Sequence, residues 1–139
     1  MFTNLSATRV GVMAVAIMFA GVVIALATSW TPAKNVTLVY VGAKNCAPCE
    51  IWQQNQGIAL RDSKKFRRLT YREVKSPSLF DVLKDEYWAE DLRIYRQAIK
   101  REAGLPLWLV IADGQLVMQS FGLTQWQEAV LPKIKSLLR

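Results

Sequence analysis

The chain has 139 residues, 18 basic and 11 acidic, with a net charge of +7, two cysteines and no histidine. Without histidine there is no Ser-His-Asp or Cys-His nucleophile. There is also no c-type haem attachment, since Glu50 follows the second cysteine where that site needs histidine. A structural zinc site needs four Cys or His ligands, and only Cys46 and Cys49 are present.

In chain order, the first feature is an uncharged apolar run from Val10 to Ala27, preceded by Arg9. At about 18 residues it nearly matches the ~20 needed to cross a bilayer as a helix, and it exceeds the ~7–15 usual in the core of a cleaved signal. Ala25-Leu26-Ala27 still offers a cleavage site after Ala27, so two outcomes stand: a retained signal-anchor over residues 1–30, or a leader that is removed. Trp30 suits the membrane interface, and Pro32 ends any helix. Arg9 lies on one flank and Lys34 and Lys44 on the other, so charge counting does not orient the segment. A short N-terminal tail before a first apolar run reads most simply as exporting the rest of the chain. The expected location is the bacterial inner membrane with the domain in the periplasm, or a soluble periplasmic form after cleavage.

The remainder, residues 35–139, is one domain of roughly 100 residues. Val36–Gly42 reads as a buried strand. Cys46-Ala47-Pro48-Cys49 opens a helix reaching about Leu60, with Pro48 in the first turn and Ile51, Trp52 and Ile58 as core candidates. Lys64-Lys65-Phe66-Arg67-Arg68 reads as a solvated loop, or as a surface for an anionic membrane or acidic partner; nucleic acid is not expected for an exported domain. Leu69–Val74 is a second strand. Ser78-Leu79-Phe80-Asp81 resembles a capping box, and Phe80, Leu83, Tyr87, Leu92, Tyr95 and Ile99 recur at helical spacing, so one long helix or two abutting ones are predicted over 79–103, ended by Gly104. Leu107–Ala112 and Gln115–Phe121 form a hairpin through Asp113-Gly114. A capping box at Thr124-Gln125-Trp126-Gln127 opens a last helix over 125–138, with a kink expected at Pro132.

The cysteine pair carries the chemistry. Thiols at i and i+3 on the first turn of a helix can close a disulfide, and the helix N-terminus favours a thiolate on the first. Three uses of the pair remain: a redox dithiol, a metal site completed by carboxylates or another chain, and a structural staple. The staple closes a very short loop and gains little entropically.

Strand, CxxC helix, strand, helix, hairpin, helix resembles the thioredoxin fold without its extra N-terminal strand and helix, over nearly all of residues 36–139. The expected fold class is therefore α/β: a mixed sheet within three α/β/α layers, after the N-terminal helix. The resemblance extends to Gly104-Leu105-Pro106, where such proteins carry a cis-proline facing the dithiol, and to Phe121-Gly122, which looks like the glycine that leaves room for substrate. It implies that Cys46 attacks a substrate disulfide and Cys49 resolves it, with Leu105, Pro106, Ala47 and Pro48 holding substrate. No metal or other cofactor is implied.

Two departures stand out. Asn45 replaces the tryptophan before the first cysteine of thioredoxin, and Tyr40 replaces its buried aspartate, leaving Glu50 or water to assist Cys49. The dipeptide Ala47-Pro48 between the cysteines also differs from thioredoxin's Gly-Pro and lacks the histidine of strong periplasmic oxidants, which favours a reductant or isomerase-like role. Trp52, Trp88, Trp108 and Trp126 are expected in the core more than on the substrate rim. Expected partners are exported cysteine-containing proteins and a membrane redox partner that recharges the dithiol. The alternative is a non-catalytic module that binds Cu(I) through the two thiolates or docks a protein partner.

Overall fold

The computed structural model describes residues 32–139. The predicted leader, with Arg9, the Ala27 cleavage site and Trp30, lies outside them. Among the described residues no helix is long and apolar enough to cross a membrane.

Four strands form one mixed sheet in the order β2-β1-β3-β4: β1 Val36–Ala43, β2 Leu69–Ser76, β3 Leu107–Ala112 and β4 Gln115–Phe121. β1 runs parallel to β2 and antiparallel to β3, which is hairpinned to β4. β1 and β3 are central, and nearly every side chain of both is buried. Alternation then sorts their residues between two cores. Leu38, Tyr40, Trp108 and Val110 face one cluster with Trp52, Trp126 and Ile134. Val39, Val41, Leu107, Leu109 and Ile111 face the other with Val74, Val82, Trp88 and Leu92. All four expected core tryptophans are therefore core.

The hairpin turns as expected: Asp113 and Gly114 both have positive φ, 48° and 81°, the pairing that suits a two-residue turn between twisted strands. Asp113 also ties down the start of β1, its carboxylate accepting from Asn35 N at 2.9 Å.

The helix after the cysteines is α-helical over Ala47–Trp52, π-helical over Gln53–Gly57 and α-helical again over Ile58–Asp62. Trp52 is fully buried, but Ile51 and Ile58 are 48% and 46% exposed, which corrects their assignment to the core. The inner face uses Cys49, Trp52, Gly57 and Leu60 instead. The last helix begins at Leu123 with Gly122 at its N-cap, so Thr124 lies inside it and caps nothing. Its Trp126–Val130 stretch is π-helical and its Leu131–Leu137 stretch α-helical. The irregularity thus falls in the turn before Pro132, whose missing N–H leaves that turn without its usual bond.

The largest correction concerns 79–103. No long helix forms there; Asp85–Tyr87 and Glu90–Leu92 are single 3-10 turns, and only Arg93–Arg96 is α-helical. Backbone at Lys84, Trp88 and Ala89 is extended, which breaks any continuous helix. Burying Val82, Trp88 and Leu92 against the sheet overrides the helical spacing, while Phe80, Leu83 and Ile94 stay exposed. The Ser78 hydroxyl accepts from Phe80 N at 3.3 Å as a local turn bond, and Gly104 follows no helix.

Candidate functional site

β1 delivers the chain to Lys44 and Asn45, and the helix then starts directly at the cysteine pair. Cys46 is the N-cap residue, in an extended conformation, and Cys46 and Cys49 form a disulfide with Cα atoms 5.2 Å apart. Cys46 Sγ accepts from Cys49 N at 3.2 Å, so a backbone N–H of the first turn points at the sulfur. Cys46 is 8% exposed and Cys49 2%, which makes Cys46 the sulfur that solvent reaches more readily. Pro48 occupies the first turn, where its absent N–H leaves no gap.

A groove of about 380 Å³ opens beside Cys46, between the start of the helix and the connection from β2 to β3. Ala47, Pro48 and Leu105 line it together with Cys46. Pro106 is joined to Leu105 by a cis peptide bond, as expected; it is buried, and its carbonyl accepts from Gly122 N at 3.0 Å. Residues that carry no site signal in the sequence complete the groove: Leu79, Phe80, Leu83, Lys100 and Arg101. The one available clue is Asn45, whose Oδ1 accepts from Leu79 N at 2.9 Å and pins that wall to the cysteine loop.

Cys49 borders a second cavity of about 630 Å³ that includes Tyr40, Glu50, Gln53 and Lys75. Tyr40 stacks flat on Trp52, with centroids 5.0 Å apart and planes 9° from parallel. Burial raises the Tyr40 hydroxyl above its usual pKa, and Glu73 adds to that. Gly42 is required here, because a Cβ would lie 2.2 Å from the Tyr40 hydroxyl. Gln53 links the cavity to a polar cluster outside it: Tyr71 Oη donates to Glu73 at 2.8 Å, and Gln53 Nε2 donates to Glu73 at 3.1 Å. Burial pushes the Glu73 carboxyl up, but bonds from Lys75, Tyr71 and Gln53 outweigh it and hold the group below its ordinary value. Glu50 is exposed and accepts from Gln54 Nε2 at 2.9 Å.

Behind the pair, Trp52 meets Trp126 edge-on at 4.9 Å and Trp108 at 5.7 Å. Among the described residues, no group of three or more Cys, Asp or Glu side chains is placed to hold a metal ion. The two sulfurs are the only thiol donors in the chain.

The order β2-β1-β3-β4, a cysteine pair at the start of the first helix and a cis-proline at the entry to β3 define a thioredoxin-like domain. No protein-family model matches the chain, and no curated protein matches it. Among solved structures, the thioredoxin of Malassezia sympodialis is similar at 15% identity, covering 76% of this chain and 81% of its own, with a TM-score of 0.46. Strand order and connectivity, rather than that score, define the fold.

Proposed function

We propose that the chain is a thiol–disulfide oxidoreductase, anchored in or exported across the bacterial inner membrane, that works in the reducing direction on exported proteins. The observation that carries the redox reading is the N-cap position of Cys46, with a backbone N–H aimed at its sulfur beside an open groove. In the reduced protein that N–H and the helix dipole favour the thiolate. The thiolate attacks one sulfur of a substrate disulfide; a Cys46–substrate bond forms, and the other substrate sulfur leaves as thiolate. Cys49, once deprotonated, attacks Cys46 Sγ, closes the intramolecular disulfide and releases the second substrate thiolate. Two electrons pass to the substrate, and its thiolates take protons from solvent.

The proton of Cys49 has no buried carboxylate to accept it, since Tyr40 fills that position. The second cavity, at Cys49, brings Glu50 and solvent to it, which supports either as acceptor. The reducing direction is supported by what is missing: no histidine stabilises the Cys46 thiolate, so the reduced state has less to hold it. The apolar run 10–27 supports the anchor and the exported location.

Replacing Cys49 with Ala removes the resolving step. Cells making the Cys49→Ala full-length chain are expected to accumulate mixed disulfides through Cys46, absent in the Cys46→Ala/Cys49→Ala control. No adduct, together with stoichiometric Cu(I) binding by the parent chain, would replace the enzyme reading with the metal-binding one.

A further inference from the structure

We propose that the groove beside Cys46 selects protruding, extended segments with a bulky apolar residue next to the reactive cysteine and an acidic residue beyond it. This deepens the oxidoreductase reading and rests on it.

The walls of the groove supply both preferences. Pro48, Leu79, Phe80, Leu83 and Leu105 make its apolar side, and Phe80 is 86% exposed. A phenylalanine that open does nothing for the core, yet here it adjoins other apolar side chains and a reactive sulfur. Contiguous exposed apolar surface at such a place marks a binding face. The groove has the size of a pocket for a small ligand, so it takes side chains of a segment and not a flat protein face.

The polar end is cationic. Lys100 and Arg101 line the groove, and no aspartate or glutamate does. Among the described residues neither forms an ion pair, whereas Arg72, Lys75, Lys84 and Arg96 each do. Their turn is pinned to the sheet: Lys100 N donates to Gln119 Oε1 at 3.2 Å, and Gln119 Nε2 donates to Ala98 O at 2.9 Å. The apolar wall is pinned as well, by Asn45 to Leu79 N and by Arg96 Nη1 to Leu83 O at 2.8 Å. A wall already ordered loses little freedom when a segment binds. Two cations facing no carboxylate favour an anionic group both on approach and once bound.

The test uses the reduced full-length chain and three peptides. Each has one cysteine held as a mixed disulfide with a neutral thiol, Phe beside it, and Glu, Gln or Lys at the next position. A small neutral disulfide, hydroxyethyl disulfide, serves as reference. The Glu peptide is expected to be reduced about tenfold faster than the Lys peptide at low salt, with Gln between them. Salt near 1 M should erase the difference by screening. Read as ratios to the hydroxyethyl disulfide rate of the same protein, Lys100→Glu/Arg101→Glu should reverse the order and Phe80→Ser should slow all three peptides. Equal rates for the three peptides, with the reference still reduced, would overturn the selectivity and keep the oxidoreductase. Failure to reduce even the reference would remove the oxidoreductase reading itself.

Discussion

The helix that starts at Ala47 and the connection between Pro77 and Leu105 border the same groove, and they are held in different ways. The helix is anchored by burial: Cys49, Trp52 and Leu60 pack into a core where Trp52 touches Tyr40, Tyr71, Trp108 and Trp126. The connection buries Val82, Trp88 and Leu92 against the other face of the sheet and is tied further by side chains bonded to its backbone. Trp88 Nε1 donates to Val82 O at 2.7 Å, Arg93 Nε to Trp88 O at 3.3 Å, Tyr95 Oη to Gly114 O at 2.9 Å, and Arg96 bonds both Leu83 O and the Asp85 carboxylate. Arg72 on β2 grips Asp91 through two bonds, at 2.9 and 3.2 Å. One wall of the groove is therefore held by the aromatic core, and the other is held in addition by hydrogen bonds to its backbone.

Substitutions can break the contrast. The largest effect is expected for Trp52→Ala, which should cost about 3–5 kcal/mol in urea unfolding because it empties the centre of the aromatic cluster. A loss below about 1 kcal/mol would mean that the cluster does not anchor the helix.

Trp88→Phe comes next. It keeps most of the buried ring but strands Val82 O, at about 1–2 kcal/mol. Amide exchange should quicken in 82–96 while β1 and β3 keep their protection. Uniform quickening would show that the connection does not open separately.

Asn45→Ala removes one exposed bond to Leu79 N and should shift stability by under about 1 kcal/mol. It should nonetheless slow peptide disulfides several-fold and leave hydroxyethyl disulfide unaffected, since only the wall is loosened. Equal slowing of both would place Asn45 in the handling of the sulfur instead.

The smallest effect concerns Glu73. Its folded pKa lies below its ordinary 4.5, so its contribution is present above that value and fades as pH falls through the folded pKa. Comparing melting temperatures from neutral pH down to about pH 3, the parent should lose slightly more than Glu73→Gln. An identical decline would show that the bonds to Lys75, Tyr71 and Gln53 add nothing.

The same contrast explains which parts are legible in the sequence. β1, β3 and β4 show as short apolar runs, the hairpin as Asp113-Gly114, and the cis bond as Leu105-Pro106 in its place before β3. Each of those signals is local. The connection is misleading in sequence because apolar spacing records which residues are apolar and not which are covered. Phe80 and Leu83 fit a helical stripe yet face solvent, while Val82, off that stripe, is buried. At the site, the cysteines and Leu105 are legible, but the wall formed by Leu79, Phe80 and Lys100 depends on bonds reaching from Asn45, Arg96 and Gln119 across the chain. No sequence spacing encodes those partners.

The central claim is that Cys46 and Cys49 form a working redox couple. Its most direct test is the equilibrium potential of the pair in the full-length chain, titrated in dithiothreitol buffers with tryptophan fluorescence or thiol alkylation as readout. A reducing exported enzyme is predicted to sit near thioredoxin, at about −270 to −200 mV. A value below about −300 mV would mark a structural disulfide and contradict the redox reading.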